Sequence, residues 1–339
     1  MQTKLLPADE TGIELAARLL QAGETVGIPT ETVYGLAADA TCDEAVAKIF
    51  AAKGRPQDNP LIVHIAAMEE LEGLVREVPE ACKKLAAAFW PGPLTIIMPR
   101  GPKVADTVCA GLDTVAIRMP SHPVAAAVIK KSGLPLAAPS ANLSGLPSPT
   151  NAHHTFRDLE GRIPLVLDGG ECGVGVESTV ITIAEEIPTL LRPGYITKEQ
   201  LEEVLGCPVA LSDAILHKLA EGEKAASPGM KYKHYSPSAN VILLDGDAEQ
   251  YKAYLAAHAA PGVFAMCYAE EAGTLPVPCV ICGAEHDEAD QARRLFTALR
   301  ECDEKGAKTV YAHCPKPTGV GMAVYNRLIR AAAYQIVVL

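Results

Sequence analysis

Residues 25–36 read Thr-Val-Gly-Ile-Pro-Thr-Glu-Thr-Val-Tyr-Gly-Leu, and this stretch sets the pattern for the first part of the chain. Its first five residues predict a short strand that stops at Pro29, because proline fixes φ and removes a backbone donor. Two hydroxyls, a carboxylate and a phenol follow directly. Ligands of α/β proteins bind beyond strand ends of this kind, so we expect a binding site here; a helix cap is the simpler alternative for Thr-Glu-Thr.

Strand and helix patterns alternate on both sides of this stretch. Strands are predicted at residues 25–29, 61–65, 94–98, 114–118, 136–138, 165–167, 178–183 and 189–192, and helices at 14–20, 43–52, 68–75, 80–89, 123–131 and 200–205. The helix at 43–52 is expected to begin at an N-cap formed by Asp43 or Thr41. The alternation predicts a mixed, twisted-sheet α/β domain over residues 1–206.

A proline-rich linker is predicted at residues 207–238. Within it, residues 225–237 combine two prolines and a glycine with two tyrosines and three basic side chains. An ordinary interdomain linker is one interpretation, but this composition is unusual for one. We expect the segment to lie across a site and to contribute to it.

Residues 239–339 alternate apolar strands with helices, a pattern typical of a small doubly wound, Rossmann-like parallel sheet. Strands are predicted at 241–244, 263–266, 279–281 and 309–312, and helices at 248–259, 289–305 and 321–333. No Gly-x-Gly-x-x-Gly motif follows the first strand, which argues against a dinucleotide site in this domain.

Composition excludes several classes of protein. The chain has 339 residues and a formal net charge of -11, which argues against nucleic-acid binding over its whole surface but leaves room for a confined basic cleft. No apolar run is long enough for a transmembrane helix, and no signal peptide is recognisable. Ten irregularly spaced cysteines fit a cytoplasmic protein with reduced thiols, and Cys279 and Cys282 are expected to be strand cysteines rather than zinc ligands.

Residues 53–60 read Lys-Gly-Arg-Pro-Gln-Asp-Asn-Pro and place two cations on a proline-stiffened loop. Such a loop suits an anion, since arginine grips it as a planar fork and lysine as a point charge. A basic surface turn is an equally open interpretation. Further clusters of polar residues follow other strands. Each has a non-functional alternative: His64 could be a core histidine, Arg118 a solvated strand end and residues 140–142 a simple turn.

Taken together, these clusters place four cations among many hydroxyls: Lys53, Arg55, Arg118 and Arg192. A polyphosphate and a polar small molecule would require this combination. The chain has no Walker A motif, so an ATP enzyme built on it would not be a P-loop enzyme. It also lacks the protein-kinase signatures, the nucleophile-elbow motif and the zinc-protease motif.

The sequence resembles a known family on several long motifs. These are Pro-Thr-Glu-Thr-Val-Tyr-Gly-Leu at 29–36, Lys-Gly-Arg-Pro-x-x-Asn-Pro-Leu at 53–61, Trp-Pro-Gly-Pro-Leu-Thr at 90–95, Pro-Ser-Ala-Asn-x-Ser-Gly at 139–145 and Ser-Pro-Gly-Met-Lys-Tyr-x-His-Tyr at 227–235. They are similar to those of the long, two-domain threonylcarbamoyl-AMP synthases. The resemblance implies a YrdC-like first domain and the C-terminal extension that marks the long type.

The resemblance implies a nucleotidyltransferase that condenses L-threonine, bicarbonate and ATP into threonylcarbamoyl-AMP and pyrophosphate. The product would serve the N6-threonylcarbamoyladenosine (t6A) modification of tRNA, through a separate transferase complex. Mg²⁺ would accompany ATP, held mostly by phosphate oxygens and water, with no protein side chain assigned as its ligand. The alternative is an RNA-binding module of the same machinery without turnover of its own; direct tRNA binding is expected to be weak or absent.

The resemblance also implies roles for individual residues. The catalytic set would be Lys53, Arg55, Ser140 and Asn142. Threonine would contact Thr32, His64, Arg118, the backbone of Ala138, and Ser178. ATP would contact Arg55, Asn59, Thr114, Ser140, Ser148 and Arg192, and Tyr235 from the linker would close over the nucleotide.

Overall fold

A computed structural model describes residues 1–215 and 235–339. Most of the predicted linker, residues 216–234, lies outside the described residues. The described chain divides into two compact units. The first contains residues 1–144, 149–173 and 177–215, and the second contains 145–148, 174–176 and 235–339. Two short loops from the N-terminal part of the sequence therefore group with the second unit.

The first unit is built on an eleven-stranded mixed sheet in the order β1-β8-β2-β3-β7-β4-β6-β5-β9-β10-β11. Its strands are β1 Lys4–Pro7, β2 Val26–Ile28, β3 Gly35–Asp39, β4 Ile62–His64, β5 Leu94–Pro99, β6 Thr114–Arg118, β7 Leu136–Ala137, β8 Leu165–Asp168, β9 Thr179–Thr182, β10 Thr189–Arg192 and β11 Ala210–Leu211. Both parallel and antiparallel pairs occur, for example β4 with β6 and β5 with β6.

The helices of this unit pack their apolar sides on the sheet. They are α1 Glu10–Gln21, α2 Asp43–Lys53, α3 Glu80–Phe89, α4 Asp106–Cys109, α5 Pro123–Ser132, α6 Ala152–Leu159 and α7 Lys198–Leu205. Side chains of α1 and α5, such as Leu20 and Val128, form one core cluster with Ile28 and Leu167 of the strands. Burial of this apolar surface stabilises the unit and fixes the strand ends that carry the polar residues.

The second unit contains a five-stranded sheet in the order β14-β13-β15-β12-β16, and every pair in it is parallel. Its elements are β12 Asn240–Asp245, α8 Ala248–Ala257, β13 Val263–Cys267, β14 Cys279–Ile281, α9 Glu288–Glu304, β15 Thr309–His313, α10 Gly321–Ala331 and β16 Ile336–Val338. Asp247 caps α8 by accepting from Gln250 N at 2.9 Å. The prediction of a small doubly wound parallel sheet is confirmed.

Two local predictions are wrong. The helix predicted at 68–75 is only a 3₁₀ turn, Met68–Leu71, because the chain adopts a left-handed conformation at Gly73, with φ of 82°. Helix α2 is capped by Cys42, without a side-chain hydrogen bond. Asp43 instead accepts from the backbone N of Thr107 at 2.8 Å, so its carboxylate ties α2 to α4.

Several elements have no counterpart among the predictions: β1, β3, β11, β16 and the helices α4 and α6. Helix α6 begins where Asn151 accepts from His154 N at 2.8 Å, a cap that the sequence carries. All ten cysteines are unpaired. Cys279 lies in β14 as expected, Cys282 lies just beyond it, and burial raises the pKa of the Cys282 thiol to about 12.

In the two described ranges, no helix combines the length and the apolar character that crossing a bilayer requires.

Candidate active site

The four cations singled out in the sequence are all buried in the first unit. Lys53, Arg55, Arg118 and Arg192 are between 3% and 9% exposed. Although Gly54 and residues 56–58 are exposed, the two cations of the loop are not, so the interpretation as a basic surface turn is wrong for them. A solvated strand end at Arg118 is also wrong. Burying a cation is unfavourable unless hydrogen-bond acceptors or anions contact it. Each of the four cations therefore needs such contacts.

Lys53 ends helix α2 and ties it to the loop that follows β7. Its Nζ donates to the backbone oxygens of Ser140 and Asn142, the latter at 2.7 Å, and lies 3.4 Å from Asn142 Oδ1. Ser140 Oγ donates to Asn142 Oδ1 at 2.6 Å, and Ser144 N donates to Lys53 O at 3.0 Å. Burial, followed by the charge of Arg55, holds the pKa of Lys53 well below its usual value. The structure thus brings together three of the four predicted catalytic residues.

The residue after Lys53 allows the chain to leave the helix sharply. Gly54 has φ of 62°, a left-handed conformation at the C-cap of α2. Arg55 follows it, and its Nη2 lies 3.5 Å from the backbone oxygen of Asn59. The guanidinium carbon of Arg55 lies 6.0 Å from the ring centroid of Phe50, within reach of a cation–π contact.

Asn59 is fully buried, yet neither atom of its side-chain amide has a hydrogen-bond partner among the residues that the structure describes. Leaving a buried amide unpaired costs on the order of 1–3 kcal/mol per group. A ligand that hydrogen-bonds to the Asn59 amide would remove this cost, so Asn59 is a candidate ligand-binding residue.

Arg118 ends β6 and has three oxygen neighbours. Its Nη1 donates to Thr32 Oγ1 at 2.8 Å, its Nε donates to Gly92 O at 3.3 Å, and its Nη2 lies 2.7 Å from Glu31 Oε1. The stretch at 25–36 therefore does lead from a strand, β2, into the site. Sequence reasoning placed Glu31 in this cluster but gave it no role.

His64 ends β4 and pairs with Arg118 in the parallel register of β4 and β6. Its Nδ1 lies 3.2 Å from Ile62 O. Burial, followed by the charge of Arg118, lowers the pKa of His64 to about 3, so its imidazole is neutral at physiological pH. His64 is thus both a core histidine and a neighbour of the site.

Ser178 and Arg192 extend the row of polar side chains that begins with His64 and Arg118. Arg192 donates from Nη2 to Ser178 Oγ at 3.1 Å and from Nε to Ser178 O at 3.1 Å. Thr95 Oγ1 lies 2.7 Å from Ser178 Oγ. Thr95 is fully buried, and the prediction missed its role, although it is the last residue of the Trp-Pro-Gly-Pro-Leu-Thr motif.

The loops at 30–34 and 139–142 are joined by backbone contacts. Ala141 N donates to Tyr34 O at 2.8 Å, Leu36 N donates to Pro139 O at 2.8 Å, and Gly35 forms an isolated bridge with Ser140. The loop that Lys53 holds is therefore adjacent to the loop that carries the partner of Arg118. Ala138 lies between β7 and this loop, and its N donates to Ile62 O at 2.9 Å.

The structure also places three further predicted residues. Thr114 begins β6, at the opposite end of the strand from Arg118, and pairs with Pro99. Ser148 is buried and groups with the second unit. Tyr235 also belongs to the second unit, where its ring centroid lies 5.2 Å from that of Phe296. Their assignment to ATP stays a prediction.

The described ranges hold no group of three or more His, Cys, Asp or Glu side chains that could bind a metal ion. Protein side chains there do not form a carboxylate cage.

Two family profiles match the chain. One, described as telomere recombination (Sua5, YciO and YrdC), matches residues 18–194, and one described as threonylcarbamoyl-AMP synthase, C-terminal domain, matches residues 196–333.

Similar proteins cover almost the whole length of the chain. The threonylcarbamoyl-AMP synthase of Bacillus subtilis is 47% identical, over 99% of this chain and 97% of its own. That of Pyrococcus abyssi is 44% identical, over 97% and 96%. The crystal structure of P. abyssi Sua5 complexed with L-threonine superposes with a TM-score of 0.92 at 42% identity, over 99% of this chain and 100% of that one.

Proposed function

Because the chain belongs to the threonylcarbamoyl-AMP synthase family of enzymes, we propose that it condenses L-threonine, bicarbonate and ATP into threonylcarbamoyl-AMP and pyrophosphate. The observation that carries the proposal is the burial of four cations, two of which donate to hydroxyls: Arg118 to Thr32 and Arg192 to Ser178. ATP and an amino-acid carboxylate bring the anions that such a site favours.

Threonine binds at the row that contains His64, Arg118 and Ser178. Arg118 takes the substrate carboxylate, since a guanidinium forms charge-assisted bonds to it. The hydroxyls of Thr32 and Ser178 and the backbone of Ala138 orient the remaining polar groups. A P. abyssi relative that is similar over its whole length has been solved with L-threonine, which supports this substrate.

We propose that ATP binds to Arg55, Asn59, Ser140 and Arg192. The unpaired amide of Asn59 has the donor and acceptor that a nucleotide can satisfy. Arg55 and Arg192 neutralise phosphate charge. Thr114, Ser148 and Tyr235 complete the proposed nucleotide contacts, and Tyr235 does so from within the predicted linker, residues 207–238.

The reaction has two bond-forming steps. The threonine ammonium first loses a proton. The free amine then attacks the carbon of bicarbonate, with loss of water, or of CO₂ derived from it, with loss of a second proton, and either route gives a carbamate. The carbamate oxygen then attacks the α-phosphorus of ATP and expels pyrophosphate. Arg55 and Arg192 stabilise the charge that grows on the phosphates, while Lys53 positions the Ser140 and Asn142 loop through its backbone oxygens.

Mg²⁺ would neutralise part of the phosphate charge while bound mainly to ATP oxygens and water, and we assign it no protein side chain. We place the enzyme in the cytoplasm, which agrees with ten unpaired cysteines. Its product would pass to a separate complex for t6A modification of tRNA.

The alternative, an RNA-binding module without turnover, is less well supported. Polynucleotide binding draws on cations that reach a backbone at the surface, whereas these four cations are buried. The formal net charge of -11 also opposes it.

Pyrophosphate release tests the proposal. The full chain is incubated with ATP and Mg²⁺, with threonine and bicarbonate added singly and together, and the adenylate is identified by mass spectrometry. We expect release that requires both additions. Equal release without threonine would overturn the proposal, and tight, salt-sensitive tRNA binding without turnover would favour the alternative.

A further inference from the structure

Glu31 and Arg118 form a buried ion pair in the first unit. The side chains are 12% and 4% exposed, and Arg118 Nη2 lies 2.7 Å from Glu31 Oε1. Within the described residues, neither Glu31 oxygen nor Arg118 Nη2 has a hydrogen-bond partner of good geometry, despite the short separation. The pair therefore balances charge in a buried site, and the backbone groups of Glu31 and Ser121 add to the stabilisation of the carboxylate.

Each nitrogen of the Arg118 guanidinium lies close to an oxygen atom. Nε faces Gly92 O and Nη1 faces Thr32 Oγ1, so Nη2 is the position where a carboxylate is already bound. Burial would raise the pKa of the Glu31 carboxyl, but Arg118, together with the backbone groups of Glu31 and Ser121, holds that pKa below its usual value. Glu31 is thus an anion that occupies the place of the substrate carboxylate.

An amino acid can replace Glu31 without changing the charge of the site. If a substrate carboxylate takes Nη2, Glu31 loses its cation, and an unpaired buried carboxylate is strongly unfavourable. Threonine carries an ammonium group next to its carboxylate, and that group can pair with the released Glu31. A simple carboxylic acid brings no such partner.

We propose that Glu31 is the ammonium-recognition residue of the site: threonine binds by exchange, its carboxylate replacing Glu31 on Arg118 and its ammonium pairing with Glu31. This inference rests on the proposed function, in which Arg118 binds the threonine carboxylate. It gives Glu31 a specificity role, the selection of amino acids over hydroxy acids and other small anions.

A ligand that lacks only the ammonium tests the exchange. (R)-β-hydroxybutyrate has the carboxylate and hydroxyl of threonine but no amine. Binding of both ligands to the full chain is measured by calorimetry for the wild type and Glu31→Gln. We expect the wild type to prefer threonine by about a hundredfold, and Glu31→Gln to reduce this preference at least tenfold.

Two controls separate the causes. Glu24→Gln removes a carboxylate from an exposed pair with Lys48 in the same unit, at 2.8 Å, and should leave the preference unchanged. Glu31→Asp keeps the charge and should retain most of the preference. Circular dichroism of each variant verifies that it folds.

The outcomes distinguish this inference from the proposed function. An equal loss of affinity for both ligands in Glu31→Gln would mean that Glu31 only positions Arg118, and an unchanged preference would mean that it does not meet the ammonium; either result overturns the inference alone. Failure of the wild type to bind threonine would overturn the proposed function and the inference with it.

Discussion

Thr95 and Arg118 are direct partners in the antiparallel register between β5 and β6. Arg118 pairs with His64 on its other side, Thr95 with Val180, and Val180 with Arg192. A single line of paired residues thus crosses five strands and carries two cations, a neutral imidazole and a buried hydroxyl. The sheet register, rather than loop conformation, sets the spacing of these groups.

The bond between Thr95 and Ser178 should matter more for threonine use than for folding. Thr95→Val removes the 2.7 Å contact with Ser178 Oγ while keeping the shape of the side chain. We expect a several-fold rise in the KM for threonine and a loss of about 1 kcal/mol in the free energy of unfolding. Steady-state kinetics and urea titration measure the two quantities.

Thr182→Val is the matched control, since Thr182 is a buried threonine of the adjacent strand β9, two residues beyond Val180. It should leave the KM for threonine unchanged. An equal effect of both substitutions on KM would show that the Thr95 hydroxyl does not position Ser178.

Substitutions of Lys53 and of Arg55 should differ in their effect on stability. Lys53→Met leaves the backbone oxygens of Ser140 and Asn142 without their donor, so both turnover and stability should fall, the latter by about 2–5 kcal/mol. Arg55→Ala should reduce turnover strongly while far-UV dichroism is preserved. Thermal melts and pyrophosphate release compare the two. Loss of folding in Arg55→Ala would instead give the loop a structural role.

The sequence predicted the elements that carry the site better than their arrangement. The predictions for β6 and for helix α3 match the structure at both ends, because apolar alternation and helical periodicity are local signals. The row from His64 to Arg192 depends on β5 lying between β6 and β9. That order joins residues distant in sequence, and no local pattern encodes it.

The missed site residues have a similar explanation. Glu31 and Thr95 lie in motifs that the sequence analysis singled out, but their importance arises from partners 87 and 83 positions away, Arg118 and Ser178. The short edge strands β1, β11 and β16 were also missed. Each is half-buried to exposed, unlike the buried strand β8, whose prediction at 165–167 matches the structure.

Asn59 should show a trade-off between binding and stability. Its buried amide has no described partner, so Asn59→Leu removes an unsatisfied polar group from a buried position. We expect thermal stability to be unchanged or higher, while the KM for ATP rises at least tenfold. A stability loss above about 2 kcal/mol would indicate that the amide is satisfied within the fold, and an unchanged KM would exclude Asn59 from the nucleotide site.

His64 should make the protein sensitive to mild acid. Its pKa is about 3 in the folded chain, against an ordinary value of 6.5, so the folded state binds fewer protons than the unfolded state between these values. The free energy of unfolding must therefore fall as the pH drops from 6.5 towards 3, by about 2–3 kcal/mol at pH 4.5 from this group. Glutamine does not titrate. Between pH 7.5 and 4.5, the free energy of unfolding of His64→Gln should therefore fall by about 2–3 kcal/mol less than that of the wild type, as measured by urea unfolding.

His153→Gln, at an exposed histidine, is the control and should keep the pH dependence of the wild-type free energy of unfolding. Parallel curves for the wild type and His64→Gln would mean that His64 is accessible to protons in the folded chain and is not held neutral beside Arg118.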